Sequence, residues 1–491
     1  MRRLVTGLFL VSLLFASLLH FAASAGWMGP SLALRGGDIL SAFPDFWAWK
    51  FNPKLIKENP SVVNWMGGEK TRFDFARCEK EYPLSLLPVC RGIMKLGKDG
   101  GAVVETENYS WNYGPVLHLI QFPLLFLNSF WTARAVWSVF LSILFWATLL
   151  LWYQMLFIDR GNHSTAIFVV YLSVWLNFLP GNEALFGTEL EVFEMFLLSA
   201  GFFLLRKGRL ALSGIAFGFA VLTKFLPALF FPYFLIRRQY RTFLVGCLTI
   251  SILSLLTQVF LGWEWNYTLR LVGSIGRAFV TDGEGQSYPV WINRWFTHFT
   301  LFHTPADRLS YLPVSNPVLV TNLTNGFLAG LGLFFGYFFL TKSKSFVSDV
   351  EIGILLILMV SVIRWNHLYY LVFVNISFSI ALRIIVERRC RGNKWAFWRG
   401  AAVVGFAFLT IGVFFPTVLI NRIFRSYGLD FRSCYSMLSF PAYGYSILLI
   451  WLCANSREEM GIGSSKDPEP QPRSFVVPSF ALGDGLKENS I

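Results

Sequence analysis

Charged side chains are scarce in this sequence. They make up 14% of the 491 residues, whereas a typical soluble domain has about 25%. Hydrophobic residues account for 55% of the chain and aromatic residues for 18%. So little charge cannot cover the surface of a water-soluble protein of this length. The composition therefore excludes a soluble globular protein and predicts an all-α polytopic membrane protein.

Acidic residues are scarcer than basic ones, with 29 Asp and Glu against 42 Lys and Arg. A nucleic-acid-binding protein would gather its basic residues on a water-exposed domain. In this chain the Lys and Arg residues instead separate long apolar runs, which is the pattern of cytoplasmic loops between membrane spans. We therefore expect no nucleic acid partner.

Cysteine is also infrequent. The six cysteines show neither the CxxC spacing nor the Cys/His spacing of a metal site, so we expect no bound metal and no cofactor. Cys78 and Cys90 share one segment outside the predicted spans. The sequence leaves open whether these two cysteines form a disulfide.

Apolar runs and the basic breaks between them predict about twelve spans with both termini in the cytoplasm. Among them are a span at 164–180 and two short spans, 210–223 and 225–236, hinged at Lys224 and Pro227. The first run is long enough to cross the membrane, so we expect a retained helix, although Ala23–Ala25 also resembles a signal-peptide cleavage site. We assign 1–454 to one transmembrane domain, with large extracytoplasmic loops at 26–133 and 262–317. The polar tail 455–491 is predicted to be disordered and cytoplasmic.

A short acidic stretch follows the first apolar run. Asp38 and Asp45 lie among Phe43, Phe46, Trp47 and Trp49. Aromatic neighbours at a membrane surface desolvate a carboxylate, which raises its basicity and suits it to proton abstraction. Alternatively, the aromatic residues form an interfacial belt and the aspartate caps a helix.

Further polar residues fall on the same predicted face of the membrane, where an ionisable group indicates a functional site. They are Glu189, Glu191, Glu194, Lys224, Gln286, Ser287, Asn293, Arg294, Arg364, Asn366 and His367. Each has a structural alternative. Lys224 and Arg364 can snorkel to the headgroups, Arg294 can contact lipid phosphate, and Glu194 can be a partner for a neighbouring helix. His367 can be a satisfied interfacial histidine.

Several short motifs resemble glycosyltransferase family 87, the polyprenyl-phosphate-mannose-dependent α-mannosyltransferases of the GT-C architecture. They occur in order over about residues 1 to 385. They are Asp45–Trp49, Tyr113–Pro115, Leu212–Arg241, Gln286–Ser287, Asn293–Arg294 and the turn with Ser361, Trp365 and His367. The chain departs from the family pattern at Gly114, at Gly187–Glu189 and at Asn366.

The resemblance implies a catalytic base at Asp45, with Asp38 in reserve. Lys224, Arg294 and His367 are candidates to hold the lipid phosphate by charge-assisted hydrogen bonds. The predicted substrate site also includes Asp38, Gln286, Asn293 and Arg364. A single displacement by one base would invert the anomeric carbon. The implied partners are a polyprenyl-phosphate sugar donor and a lipid or glycan acceptor.

A transporter or flippase of a lipid-linked or anionic solute is the alternative function. It predicts polar groups at both faces of the membrane, whereas the cytoplasmic breaks carry mainly Lys and Arg. The family points to a bacterial plasma membrane. The sequons at Asn108, Asn266 and Asn322 would instead suit the endoplasmic reticulum of a eukaryote.

Overall fold

The computed structural model describes residues 6–19, 21–22, 93–96, 102–105, 120, 130–161, 164–261, 286–296, 317–341, 347–363, 368–412 and 439–460. Within these ranges the chain is helical apart from one hairpin, so the predicted helical class is confirmed. Strands β1 (Ile93–Leu96) and β2 (Ala102–Glu105) pair antiparallel, with Ile93 opposite Glu105 and Leu96 opposite Ala102.

The helices run in chain order through the bundle. They are α1 (Thr6–Leu19), α2 (Phe130–Tyr153), α3 (Thr165–Leu176), α4 (Leu179–Gly187), α5 (Glu191–Arg206), α6 (Leu210–Lys224), α7 (Phe230–Ile236), α8 (Tyr240–Leu261), α9 (Tyr288–Trp295), α10 (Pro317–Leu340), α11 (Asp349–Ser361), α12 (Val374–Cys390), α13 (Lys394–Gly412) and α14 (Phe440–Met460). A π-helical turn, Gln154–Ile158, extends α2. Two 3₁₀ helices, Leu226–Leu229 and Leu368–Phe373, precede α7 and α12.

Helix α11 lies at the centre of the bundle. Every one of its residues from Asp349 to Ser361 is buried, and α12, α14 and both 3₁₀ helices pack around it. A helix surrounded by protein needs no polar face, which explains why the run IGILLILMV is apolar on all sides. Helix α10, in contrast, leaves most of its side chains exposed.

Glycines allow α6 and α8 to approach closely. A Cβ atom on Gly214 would lie 2.6 Å from the backbone oxygen of Thr242, and one on Gly218 would lie 2.7 Å from the Cβ of Thr249. Small residues four positions apart let helix backbones come together in a membrane. The short loop 237–239 connects the end of α7 to the start of α8.

Four helical segments in the described part of the chain are long and apolar enough to cross a membrane: Ala135–Ile158, Val318–Leu340, Leu368–Cys390 and Lys394–Gly412. The count of about twelve spans therefore stays a prediction. Helix α3 ends at Leu176, before the predicted span end at residue 180, because a new helix, α4, begins at Leu179 with Pro180 in its first turn.

Two other boundaries differ from the predicted ones. Helix α2 begins at Phe130, inside the segment predicted as loop, and α14 continues to Met460, into the segment predicted as tail. Asn455 is buried there and accepts a hydrogen bond from Arg388. Asn322 lies within the span-length segment of α10, which argues against that sequon as a glycosylation site.

An ionic network joins the helix ends that carry the basic breaks. Asp349 accepts from Arg160 at 2.8 Å and from Arg383 at 2.9 Å, and it also pairs with Arg206. Glu351, two residues further along α11, pairs with Arg237. Arg160 follows α2, Arg206 ends α5 and Arg237 follows α7, whereas Arg383 lies within α12. Three of the basic breaks that the sequence predicts on one side of the membrane therefore converge at the start of α11.

The pair between Arg237 and Glu351 is the most enclosed part of this network. The Arg237 side chain is fully buried; its Nε donates to Glu351 at 2.9 Å, and Tyr233 donates to the same carboxylate at 2.7 Å. Breaking a buried ion pair on one side leaves an uncompensated charge, which costs about 3–5 kcal/mol.

We expect Glu351→Gln to lower the free energy of unfolding by about that amount, because the Arg237 guanidinium would lose its counter-ion. The midpoint of thermal unfolding in detergent, followed by tryptophan fluorescence, measures this effect. Asp159→Asn is the matched control, because Asp159 pairs with Lys207 at the surface and should contribute no more than about 1 kcal/mol. Equal midpoints for the two variants would contradict the expectation.

Candidate functional site

Lys224 occupies a sharp hinge at the end of α6. The helix ends at Lys224, Phe225 takes the left-handed conformation with φ of 46°, and a 3₁₀ helix containing Pro227 follows. A bulky residue with positive φ is a genuine outlier, held only where the surrounding structure requires it. The prediction of a hinge between two short helices at Lys224 is confirmed.

The ammonium of Lys224 is held inside the protein. It pairs with the carboxylate of Glu191, and its nitrogen lies 3.9 Å from the ring centre of Tyr370 and 5.8 Å from that of Tyr369. Its side chain is 4% exposed. The alternative in which Lys224 snorkels to the headgroups is therefore wrong.

The local sequence explains why these charges meet. Glu191 and Glu194 lie in the first turn of α5, where the helix dipole favours negative charge, and Lys224 lies in the last turn of α6, where it favours positive charge. The short connection Lys207–Arg209 makes α5 and α6 antiparallel neighbours. The start of the one helix therefore lies beside the end of the other.

Glu194 is an unusual carboxylate. It is fully buried, and neither of its oxygens has a hydrogen-bond partner among the described residues. It interacts electrostatically with Glu191 and Lys224. No described hydrogen bond supports Glu194 as a partner for a neighbouring helix. Buried polar groups without a hydrogen bond are rare enough to indicate a functional region.

This charged centre lies at the far end of α5 from the ionic network. Glu191 begins the helix and Arg206 ends it, so the rise per residue places the two ends about 22 Å apart. That is a large part of the thickness of a bilayer. The Lys224 centre thus occupies the opposite end of the bundle from the basic breaks.

A second group of predicted residues lies on α9. Ser287 caps this helix by accepting from the backbone N–H of Val290, and Pro289 occupies its first turn. Gln286, Asn293 and Arg294 are buried. The described contacts of Gln286 and Arg294 run to α14 and to Ser439 just before it, whereas those of Lys224 run to α5 and to the 3₁₀ helix Leu368–Phe373.

Helix α9 is fastened to α14 by polar contacts. Tyr445 donates to the backbone oxygen of Gln286 at 2.8 Å, the hydroxyls of Tyr288 and Ser446 lie 2.9 Å apart, and Arg294 donates to Ser439. Burial raises the pKa of Tyr288 to about 12, so its hydroxyl keeps its proton at neutral pH. Arg294 therefore contacts a hydroxyl of the protein. The alternative considered from the sequence was a contact between Arg294 and a lipid phosphate.

Left-handed backbone occurs at both of these groups and also next to Arg237 of the ionic network. Among the described residues four non-glycine residues have positive φ, namely Thr188, Phe225, Arg238 and Ser439. Phe225 follows Lys224, Ser439 contacts Arg294, and Thr188 ends α4 just before Glu189. Strained backbone is typical of functional sites, where the surrounding contacts hold it.

Four of the predicted site residues lie outside the described part of the chain. They are Asp38, Asp45, Arg364 and His367. In the sequence, Arg364 and His367 come just before the 3₁₀ helix whose Tyr369 and Tyr370 contact Lys224. The roles of these four residues stay predictions.

The sequence gave little sign of several contacts at the site. Tyr369 and Tyr370 form an aromatic pair of a kind common in this chain, and only the fold places them against Lys224. Ser439 and Tyr445 lie 145 and 159 residues from their partners. No spacing rule connects positions so far apart, and residue types alone do not distinguish them from other residues of an apolar helix.

Comparison with known proteins gives one result. The family model of glycosyltransferase family 87 matches residues 111–362, which is just over half of the chain, whereas no curated protein and no solved structure matches. The matched segment includes Glu191, Glu194, Lys224, Asn293 and Arg294. The helical bundle with membrane-spanning segments and the buried charged centre at one end of it agree with this match. The chain therefore belongs to glycosyltransferase family 87 and is a membrane glycosyltransferase.

Proposed function

We propose that the protein moves a hexose, mannose by its resemblance, from a polyprenyl-phosphate donor to a lipid or glycan acceptor with inversion. The reaction takes place on the extracytoplasmic side of a cell membrane. A bacterial plasma membrane suits the family, and the endoplasmic reticulum is the corresponding site in a eukaryote.

The observation that carries this proposal is the charged centre at Lys224. It belongs to the segment that matches the family, and it lies at the end of α5 remote from the basic breaks. Because basic loops are retained in the cytoplasm, this end of the bundle is assigned to the outer face. A donor whose sugar is displayed at that face would meet the site there.

Asp45 is the proposed base. Its carboxylate takes the proton of the acceptor hydroxyl, and the acceptor oxygen then forms a bond to the anomeric carbon. The bond between that carbon and the phosphate oxygen breaks, and polyprenyl phosphate leaves with the electron pair. One displacement inverts the anomeric centre. Base assistance of this kind contributes about 10²- to 10⁴-fold to the rate.

The cations stabilise the leaving phosphate. Lys224, Arg294, Arg364 and His367 are the proposed groups, and their charge-assisted hydrogen bonds strengthen as negative charge develops on the phosphate. Gln286, Asn293 and Asp38 are proposed to bind substrate hydroxyls or phosphate oxygens. Because these cationic side chains can neutralise the phosphate, the proposed displacement needs no metal ion.

We expect Asp45→Asn to lower transfer by at least 10²-fold, because an amide cannot accept the acceptor's proton. The measurement offers purified protein a panel of polyprenyl-phosphate sugars in detergent and follows donor consumption. Asp159→Asn is the matched control, since Asp159 belongs to a surface ion pair. Full activity of Asp45→Asn would refute the assignment of the base.

A second pair of variants tests Lys224. Lys224→Gln leaves Glu191 without its cation and should reduce both stability and transfer. In the double variant Lys224→Gln/Glu191→Gln both charges of the ion pair are removed while Glu194 stays, so stability should recover in large part. If Lys224 contacts the donor phosphate, transfer in the double variant should stay about 10²- to 10³-fold below the wild type.

The opposite result would limit Lys224 to a structural role. Recovery of both thermal stability and transfer in the double variant would show that the ion pair only holds α5 against α6. A transporter would behave differently from either case. It would carry a lipid-linked or anionic solute across liposomes without a donor sugar, and we expect no such flux.

A further inference from the structure

The first turns of α14 contact the helix that carries Gln286 and Arg294. Besides the contacts of Ser439, Tyr445 and Ser446, the indole nitrogen of Trp291 donates to the hydroxyl of Tyr443 at 3.2 Å. Four side chains of α14 and the residue before it therefore hold one face of α9. This arrangement fixes the short helix, which lies in the second of the two large loops predicted from the sequence.

Ser439 has the most specific of these contacts. It is buried and strained, with φ of 56°, and its hydroxyl accepts from the Arg294 guanidinium. Serine offers no advantage over glycine for a left-handed backbone, and glycine would avoid the strain. What serine adds at this position is its hydroxyl, and this hydroxyl accepts the hydrogen bond from Arg294.

Ser439 and the residues of α14 that make these contacts lie outside the segment that matches the family. The match ends at residue 362, and α14 begins at Phe440. The resemblance therefore implies roles for residues of α9 but none for residues of α14, the helix that supports α9.

We propose that Ser439 and Tyr445 are positioning residues of the transferase: they hold α9 so that the Arg294 guanidinium is oriented in advance for the donor's phosphate. The inference rests on the proposed function, in which Arg294 binds that phosphate. A long side chain that is ordered before the ligand arrives does not lose its freedom on binding. Misplacement of a binding group by about 1 Å is enough to lower a rate by about 10²-fold.

Ser439→Gly is the sharpest test. Glycine relieves the strain of the left-handed backbone, which offsets part of the cost of the hydrogen bond that the buried Arg294 loses, so the variant should still fold. We expect kcat/KM for the polyprenyl-phosphate donor to fall about tenfold. Tyr445→Phe, which loses its hydrogen bond to the backbone of Gln286, should cause a loss of similar size.

A double-mutant cycle distinguishes positioning from a general structural effect. If Ser439 acts through Arg294, then Ser439→Gly should reduce activity in the wild type and change it less than twofold in an Arg294→Gln background. Equal reductions in both backgrounds would overturn the proposal, as would activity of Ser439→Gly within twofold of the wild type. Tyr337→Phe is the matched control for Tyr445→Phe, because Tyr337 is 71% exposed on α10.

Binding gives a readout that does not depend on transfer. The dissociation constant for polyprenyl phosphate, measured by the thermal shift that it causes, should rise about tenfold in Ser439→Gly. An unchanged constant would overturn the positioning role even if the wild type is active. Binding without transfer from any sugar donor would instead overturn the proposed function and leave the positioning role supported.

Discussion

A charge inside an apolar bundle has to find its counter-ion within the protein, and this constraint organises the structure. Water and lipid cannot compensate a buried ammonium or carboxylate, so an unpaired ion would cost several kcal/mol. Helix α5 carries such charges at both ends: Glu191 pairs with Lys224 at one end, and Arg206 pairs with Asp349 at the other. The two pairs fix α5 against α6 and against the central helix α11.

The two ends nevertheless differ in chemistry. At the Asp349 end several arginines surround the carboxylates of α11, and the ion pairs there join α2, α5, α12 and the loop after α7 to α11. At the Lys224 end one carboxylate, Glu194, is buried without a described hydrogen bond. Paired charges favour stability, whereas a buried carboxylate without a hydrogen bond is typical of places where a substrate binds.

The candidate site draws on segments far apart in the chain. The Lys224 centre combines the start of α5, the end of α6 and the 3₁₀ helix Leu368–Phe373, while the α9 group depends on α14. A glycosyltransferase has to hold a sugar donor and an acceptor together. Two polar groups on separate helices, each fixed by its own contacts, suit the binding of two substrates.

The sequence by itself indicated the helical membrane class, the hinge at Lys224 and the family, and it predicts the sidedness of the basic breaks. These follow from composition, hydrophobic runs and short motifs, all of which act over a few residues. The tertiary structure alone decided that Glu191 neutralises Lys224, that Tyr370 lies beside its ammonium, and that Ser439 contacts Arg294. Such pairings depend on how helices distant in sequence pack, and local patterns do not encode that packing.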